Sequence, residues 1–266
     1  MRILLTDETN REPGPTVKFF VYGGLILNAD DLAPLDAGIA EIRRDLGYSP
    51  QDDLKFDTRC RPPCVSISTA TEAKRRVIAL CKELQAKFIA YVALHDIIKH
   101  ADPDDQVLFA TNTVIRQFNK YLRDVVHDDG ICVVDVLPVK HSWKYLSEKF
   151  TLGLAYEERY VPVERIKMFC ASCNNASHAS SAMDIVLGTF RYCINDPANP
   201  QAASEMMANV VDLMWHERDG ETILAYERGL VMRPLVHKIK VDAYRNEYEH
   251  LIDHINELLE DDESPD

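Results

Sequence analysis

Short strand-like runs alternate with amphipathic helical stretches along the chain, and this alternation constrains the fold more than any other feature. Residues 2–7 and 17–27, separated by the turn-rich stretch NREPGP, predict two strands with a long connection. Leucine and isoleucine then recur at helical spacing over DDLAPLDAGIAEIRRDLG, and Gly47 follows as a stop signal. We therefore expect an α/β fold that begins with a hairpin.

The remainder of the chain continues this alternation without an internal repeat or a long linker. Further strands are predicted over 54–57, 87–95, 131–138 and 164–172, and further helices over 71–86, 103–126, 142–150, 180–195, 200–217 and 242–260. We expect a core over residues 1–196, a C-terminal helical extension over 197–260 that packs on it, and a disordered acidic tail over 261–266.

Composition indicates a globular protein. Of the 266 residues, 46% are hydrophobic and 27% are charged, and no apolar run is long enough for a membrane span. The first residues lack the small-residue cleavage site of a signal peptide. Seven cysteines, an odd number, suit reduced thiols better than a disulfide framework. We therefore expect a cytoplasmic protein with no membrane partner.

The charge balance restricts the partners. A net charge of −13 argues against broad, sequence-independent binding of nucleic acid, which depends on a basic surface. The tail holds five carboxylates from Glu260 onward, so the total does not exclude an enzyme that acts on nucleic acid. The last predicted helix carries apolar residues at helical spacing, which offers a surface for a homo-oligomer.

Three acids occur where the surrounding residues are apolar. Asp7 ends a strand, Asp135 lies between valines in ICVVDVLP, and Asp184 lies in the nearly apolar helix over 180–195. Burying an ionised carboxylate without a partner is costly, and a divalent cation removes that cost for several acids together. The set therefore suggests an oxygen-only Mg²⁺ or Mn²⁺ site.

Each acid also has an ordinary structural interpretation. Asp7 can cap a turn, and Asp135 can accept hydrogen bonds from backbone amides at the exit of its strand. Asp184 shares a helical arc with Arg191 and can lie on a solvent-facing surface beside it. Both interpretations remain open for each residue.

Four stretches of the chain resemble the family catalogued as domain of unknown function 3800, which has a ribonuclease H-like fold. LLTDETN followed by FFVYGGLIL resembles its opening strands, and DLKF resembles a segment of its third strand. VVDVL resembles the strand that carries its next acid, and SSAMDIVLGTFRY resembles its late serine-rich turn and helix. The order of these stretches along the chain is specific, although each of them is short.

This resemblance spans residues 2 to about 195 and implies a mixed, ribonuclease H-like sheet flanked by helices, to which the residue pattern adds extra helices at the C-terminus. It implies that Asp7 lies on the central strand, Asp135 on its neighbour and Asp184 on a helix over their ends. It also implies metal-dependent phosphodiester cleavage with two ions roughly 3.5–4 Å apart, Asp7 bridging both and the other two acids completing one site each. Lys55 would contact a phosphate or the developing negative charge.

Three further residues are candidates for supporting roles. Neighbouring strand residues point to opposite faces, so Glu8 shares a site with Asp7 only if the strand bends, and we expect it behind the ligands. His178, just before the helix of Asp184, is suited to touch a substrate or a metal-bound water. Lys140 follows the strand of Asp135 and is a candidate substrate contact.

The sequence therefore leaves two functions open. One is a Mg²⁺- or Mn²⁺-dependent nuclease or phosphodiesterase that uses Asp7, Asp135 and Asp184, with Lys55, on nucleic acid. The alternative is a non-catalytic binding or assembly protein on the same fold, which would use its surface or its last helix for a partner.

Overall fold

The structure, a computed structural model, describes most of the chain. None of the helices within the described residues combines the length and the apolar composition that crossing a bilayer requires. The described residues are 1–9, 12–14, 16–135, 142–156, 159–172, 177–195, 197–220 and 222–262.

Within these residues, six strands form one mixed sheet and four short strands form two small hairpins. The strands are β1 (Arg2–Thr9), β2 (Phe19–Asn28), β3 (Lys87–Leu94), β4 (Gly130–Asp135), β5 (Leu154–Tyr156), β6 (Arg159–Val161), β7 (Ile166–Ser172), β8 (Glu217–Asp219), β9 (Thr222–Leu224) and β10 (Leu230–Met232). The sheet order is β10-β3-β2-β1-β4-β7, and the hairpins are β5-β6 and β8-β9. In the sheet, β2 is antiparallel to β1 and β3, whereas the pairs β1–β4, β4–β7 and β3–β10 are parallel.

Eight α-helices lie within the described residues, and side chains cap several of them. Asp102 accepts backbone N–H groups at the start of the fourth helix, Ser66 does so for the second and Ser177 for the sixth. The helices are α1 (Leu32–Asp45), α2 (Ile67–Glu83), α3 (His95–Ile98), α4 (Pro103–Asp124), α5 (Ser142–Thr151), α6 (His178–Ile194), α7 (Pro200–Val211) and α8 (Asp242–Asp262).

The sheet separates two apolar cores. On one face, α4 and α5 pack through residues such as Phe118 and Leu146 against Leu4 of β1. On the other face, α1, α2, α6, α7 and α8 enclose a larger core around Leu25 and Phe88. The central strand β2 is buried along nearly its whole length because both faces are covered.

Two adjacent glycines in β2 allow helices to approach the sheet closely from both sides. A Cβ atom at Gly23 would lie 2.6 Å from Leu187 of α6, and one at Gly24 would lie 3.0 Å from Val114 of α4. Gly23 pairs with Asp7 in the register of β1 and β2. No side chain of β2 therefore stands directly beside Asp7.

The expected mixed sheet flanked by helices is confirmed, and so are most of the elements. Asp7 lies on central β1 and Asp135 on adjacent β4, as the family resemblance implies. The predicted strand over 54–57 is wrong, because these residues form a loop in which the Phe56 amide donates to the Asp184 side chain. The third strand in chain order is instead β3, which lies between β10 and β2 in the sheet.

The segment 197–260, expected to be a helical extension, also contributes strands. It contains α7, the β8–β9 hairpin, most of α8, and β10, which pairs with β3 and extends the main sheet. The predicted tail over 261–266 begins within α8, which continues to Asp262, and residues 263–266 lie outside the described part of the chain.

The apolar face of α8 packs on the protein's own core. Tyr248 and Ile255 are fully buried, and Leu251 and Leu259 are nearly so. These residues belong to the larger core together with residues of α7 and β3. A homo-oligomer through this helix stays a prediction, and these four side chains are already covered within the chain.

Candidate active site

The ends of two neighbouring parallel strands bring Asp7 and Asp135 together. In the register of β1 with β4, Thr6 pairs with Val134, and the two acids are the next residues on their strands. Because alternation applies to both strands, the two acids share one face of the sheet. Strand β7 and the first turns of α6 complete a pocket around them, lined by Leu5, Thr6, Asp7, Val133, Asp135, Ser172, Ser180 and Met183.

The carboxylate of Glu8 joins this pair. One carboxylate oxygen from each of Asp7, Glu8 and Asp135 lies within 4.8 Å of the others, and we call these three residues the carboxylate group. Strand alternation gives Glu8 the opposite face from Asp7. The pairing of β1 with β4 runs only to Thr6, so Glu8 lies past its last pair, while it still pairs with Tyr22 of β2. Side-chain alternation therefore does not separate Glu8 from the site.

The surroundings of Asp7 strongly change the pKa of its carboxyl. Burial, followed by the charges of Asp135 and Glu8, raises the pKa of Asp7 to about 8. A hydrogen bond of 2.8 Å from the Glu8 backbone N–H to Asp7 Oδ1 acts in the opposite direction. Close, partly buried carboxylates repel each other, and a bound cation relieves this repulsion.

The donor atoms of the carboxylate group fit a hard divalent cation. Mg²⁺ and Mn²⁺ prefer oxygen ligands, and each of the three residues offers a carboxylate oxygen from a strand end. Burial, followed by like-charge repulsion, raises the pKa of Asp7, and a bound cation would favour the ionised form against both effects. The three residues therefore form a candidate site for a divalent cation, which either metal would suit.

Asp184 lies close to this group without belonging to it. Its charge contributes to raising the pKa of Asp7, after burial and the charges of Asp135 and Glu8. Its Oδ2 atom accepts a hydrogen bond of 2.7 Å from the backbone N–H of Phe56. Burial raises the pKa of Asp184 itself, against the opposing effects of this bond and of nearby Lys55, Arg191 and Lys74. Asp184 thus joins α6 to the loop over 54–57.

The ring of Phe56 lies among cations on α6 and α2. Lys74 Nζ lies 4.5 Å from the ring centroid, and Arg191 Cζ lies 5.4 Å from it. Gly188 provides the space, since a Cβ atom there would lie 2.5 Å from Phe56 Cβ. The loop that carries Lys55 is therefore fixed on α6 both through the Asp184 hydrogen bond and through packing.

The other predicted site residues lie in different places. Lys55 is near Asp184, where its charge counteracts the effect of burial on that carboxyl's pKa. His178 begins α6 but lines a neighbouring cleft with Asp52 and Asp53, not the pocket of Asp7. Lys140 lies outside the described residues.

Sequence reasoning did not single out two serines that line the pocket, Ser172 and Ser180. Ser180 lies in the first turn of α6, where its backbone N–H donates to the capping Ser177 side chain. The serine-rich stretch before the helix is a signal for such a cap, but it does not indicate which serine faces the acids.

No family model matches the chain. No curated protein matches it either.

Two solved structures are similar to the chain in fold. Ribonuclease H2 from Pyrococcus horikoshii OT3 is 15% identical, with 72% of each chain covered and a TM-score of 0.40. Bst-RNase HIII in complex with Mn²⁺ is 14% identical, with a TM-score of 0.38; the match covers 79% of this chain and 62% of that one. The assignment of the site rests on its own carboxylates.

Proposed function

We propose that this protein is a nuclease or phosphodiesterase that depends on Mg²⁺ or Mn²⁺ and acts on nucleic acid, as a member of the domain of unknown function 3800 family. The observation that carries the proposal is the carboxylate group, in which one oxygen from each of the three residues lies within 4.8 Å of the others. When bound there, a divalent cation supplies charge neutralisation and an activated water for attack on a phosphodiester.

The chain's own residues take distinct parts in this proposal. Asp7, Glu8 and Asp135 would hold the cation through carboxylate oxygens, and the charges of Glu8 and Asp135 both act on Asp7. We assign Lys55 to the substrate phosphate because its charge acts on Asp184, which acts in turn on Asp7, so Lys55 lies near the carboxylate group. Asp184 fixes the loop of Lys55 through the Phe56 amide, and its role as a metal ligand stays a prediction.

The metal part of the proposal is tested by titrating Mn²⁺ into metal-free protein while following the electron paramagnetic resonance of the free ion. We expect Asp7→Asn, Glu8→Gln and Asp135→Asn to weaken binding by about tenfold or more, because each removes an anionic ligand. Asp30→Asn, a change at an exposed carboxylate on a short helix after β2, is the matched control. If Asp7→Asn bound Mn²⁺ as tightly as Asp30→Asn does, the carboxylate group would not be the cation site.

The same titration separates the two roles of Asp184. Asn at this position keeps a side-chain oxygen that can accept the Phe56 N–H but carries no charge. If Asp184 only anchors the loop, the Asn variant binds Mn²⁺ nearly as wild type does. A loss as large as that of Asp135→Asn would make Asp184 a ligand.

The catalytic part is tested with labelled single-stranded and double-stranded DNA, single-stranded RNA and an RNA–DNA hybrid, in the presence of Mn²⁺ or Mg²⁺. We expect cleavage of at least one substrate by wild type and by Asp30→Asn, and a loss of about a hundredfold or more in Asp7→Asn. Equal cleavage by wild type and Asp7→Asn, or no cleavage by either, would contradict the proposal and favour the non-catalytic alternative.

A further inference from the structure

A basic cleft lies along α4, away from the carboxylate group. Arg116, Lys120 and Arg123 recur at helical spacing on one face of α4 and form part of its lining. Val161 at the end of β6, the two residues that follow it, and Glu227 and Arg233 complete the lining on the flanks of the helix. We call this cleft the α4 trough.

The α4 trough carries an excess of positive charge in a chain whose net charge is −13. Its carboxylate, Glu227, is paired with Arg233, which donates to both of its oxygens. Arg123 pairs with Asp124, which does not line the trough. Within the described part of the chain, neither Arg116 nor Lys120 forms a direct ion pair, although the charges of Glu217, Asp124 and Glu227 act on Lys120.

The cations of the trough are crowded and held by aromatic rings. Burial, followed by the charge of Arg228, lowers the pKa of Lys120. Arg116 Cζ lies 5.1 Å from the ring centroid of Tyr156, and Lys120 Nζ lies 5.8 Å from that of Trp215. A guanidinium over a ring keeps its N–H groups available for an anion, because they lie in its own plane.

Helix α4 is fixed to the segment before β10 that lies on the other side of the trough. Gln117 of α4 donates its amide N–H groups to the backbone carbonyls of Glu227 at 2.8 Å and Arg228 at 3.1 Å. This amide is mostly buried, so the contact joins the helix firmly to the segment before β10. The cations therefore occupy a preformed surface, which reduces the entropy lost when a ligand binds.

We propose that the α4 trough binds the phosphodiester backbone of a nucleic acid strand. Arginine N–H groups match phosphate oxygens in geometry, and three cations over two turns of helix extend about 10 Å, more than one phosphate of a strand. Helix α4 packs on the face of the sheet opposite to that of Asp7, and its second half leads towards the edge where β4 begins, which is the edge away from Asp7. The α4 trough is therefore a separate contact, for a part of the strand distant from the carboxylate group, and the inference rests on the proposed function.

The test measures binding without cleavage, using fluorescence anisotropy of a short labelled oligonucleotide of mixed sequence in EDTA. We expect the double variant Arg116→Ala/Lys120→Ala to bind about tenfold more weakly than wild type. The slope of affinity against salt should also fall by one to two, because each lost phosphate contact releases fewer counterions. Arg44→Ala/Lys238→Ala, which removes the same charge from exposed positions elsewhere, is the matched control and should bind nearly as wild type.

The outcomes separate this inference from the proposed function. Equal affinity of the two double variants, or no binding by wild type, overturns the trough even if Mn²⁺-dependent cleavage is found. Binding through the trough without any cleavage overturns the nuclease and leaves the trough standing. Polyglutamate that competes as well as unlabelled oligonucleotide would replace the nucleic acid with an acidic peptide as the ligand. Thermal unfolding of both variants checks that a loss of binding is not a loss of fold.

Discussion

The ammonium group of Lys149 lies in an unusual place for a lysine. The residue is 2% exposed, its Nζ atom donates to Asn112 Oδ1, and it lies 3.6 Å from the ring centroid of Tyr145. Burial lowers the pKa of Lys149 to about 7. The folded protein therefore favours the neutral amine, whereas the unfolded chain keeps the ordinary pKa near 10.5.

This difference predicts how stability depends on pH. Between about 7 and 10.5 the unfolded chain binds a proton that the folded protein does not, so the free energy of unfolding rises with pH across this range. Below about pH 7 the lysine is charged in both states, so the whole cost of burying the charge lowers the free energy of unfolding. Lys149→Met should remove this rise and increase stability at pH 6–7 by a few kcal/mol, on the order set by about 1.4 kcal/mol per pKa unit.

Urea unfolding of wild type and Lys149→Met over the range of pH gives the measurement. In the variant the Asn112 oxygen can still accept from the Tyr145 hydroxyl, whose one proton it shares with the Leu108 carbonyl. Lys144→Met, at an exposed position one turn earlier, is the control. If the free energy of unfolding depended on pH in the same way for wild type and Lys149→Met, the lowered pKa of Lys149 would be contradicted.

At the site, the strand positions of Asp7 and Asp135 were predictable, and the contribution of Glu8 was not. Acids in apolar surroundings pointed to Asp7 and Asp135, and the structure brings their carboxylates together. The place of Glu8 depends on where the pairing of β1 with β4 stops, which is a property of two distant segments. The sequence around Glu8 alone contains no information on that end point.

At the scale of elements, the loop over 54–57 shows why a strand-like pattern misleads. LKF has the apolar alternation of a strand, but the backbone N–H of Phe56 donates to the carboxylate of Asp184 and not to the backbone carbonyl of a neighbouring strand. The opposite error concerns β10, a strand of three residues that is too short for a periodic signal. Long elements such as α4 and β3 were predicted nearly to their ends because many residues contribute to each pattern.

The contact of this loop with α6 predicts the effect of a change at Gly188. Gly188→Ala should lower the free energy of unfolding by about 1–3 kcal/mol, because the added Cβ would lie 2.5 Å from both Cβ and Cγ of Phe56. Alanine within a helix otherwise stabilises by up to about 1 kcal/mol relative to glycine.

Gly38→Ala in α1 is a matched control for this measurement by urea unfolding. Its added Cβ would meet the far end of the Leu80 side chain, which can move. We expect the control to be neutral or slightly more stable than wild type. If both variants had the same stability, the close packing of Phe56 on α6 would be refuted.

At the scale of the whole molecule, one hydroxyl joins the last helix to the sheet. The Tyr248 hydroxyl accepts the backbone N–H of Leu94 at the end of β3 and donates to the carbonyl of Arg233 just after β10, each at 2.9 Å. Tyr248 is fully buried, so these backbone groups have little access to water as a substitute. The hydroxyl therefore stabilises α8 and the edge of the sheet together.

Tyr248→Phe should lower the free energy of unfolding by about 1–3 kcal/mol, because two backbone groups lose their partner. The matched control is Tyr244→Phe on the same helix, whose ring is only partly buried against the core. Chemical unfolding of both variants gives the comparison. Equal midpoints would show that the Tyr248 hydroxyl contributes nothing measurable.

The position of β10 in the sheet also has a consequence for how the protein is made. The register pairs Tyr91 with Val231, so the free edge of β3 is completed by residues that leave the ribosome long after β3 itself. Until then the nascent chain exposes an open apolar strand edge, which is a site for aggregation and for chaperone binding. Synthesis of β10 in the last quarter of the chain, rather than of the strands that carry the acids, determines when the edge of β3 is covered.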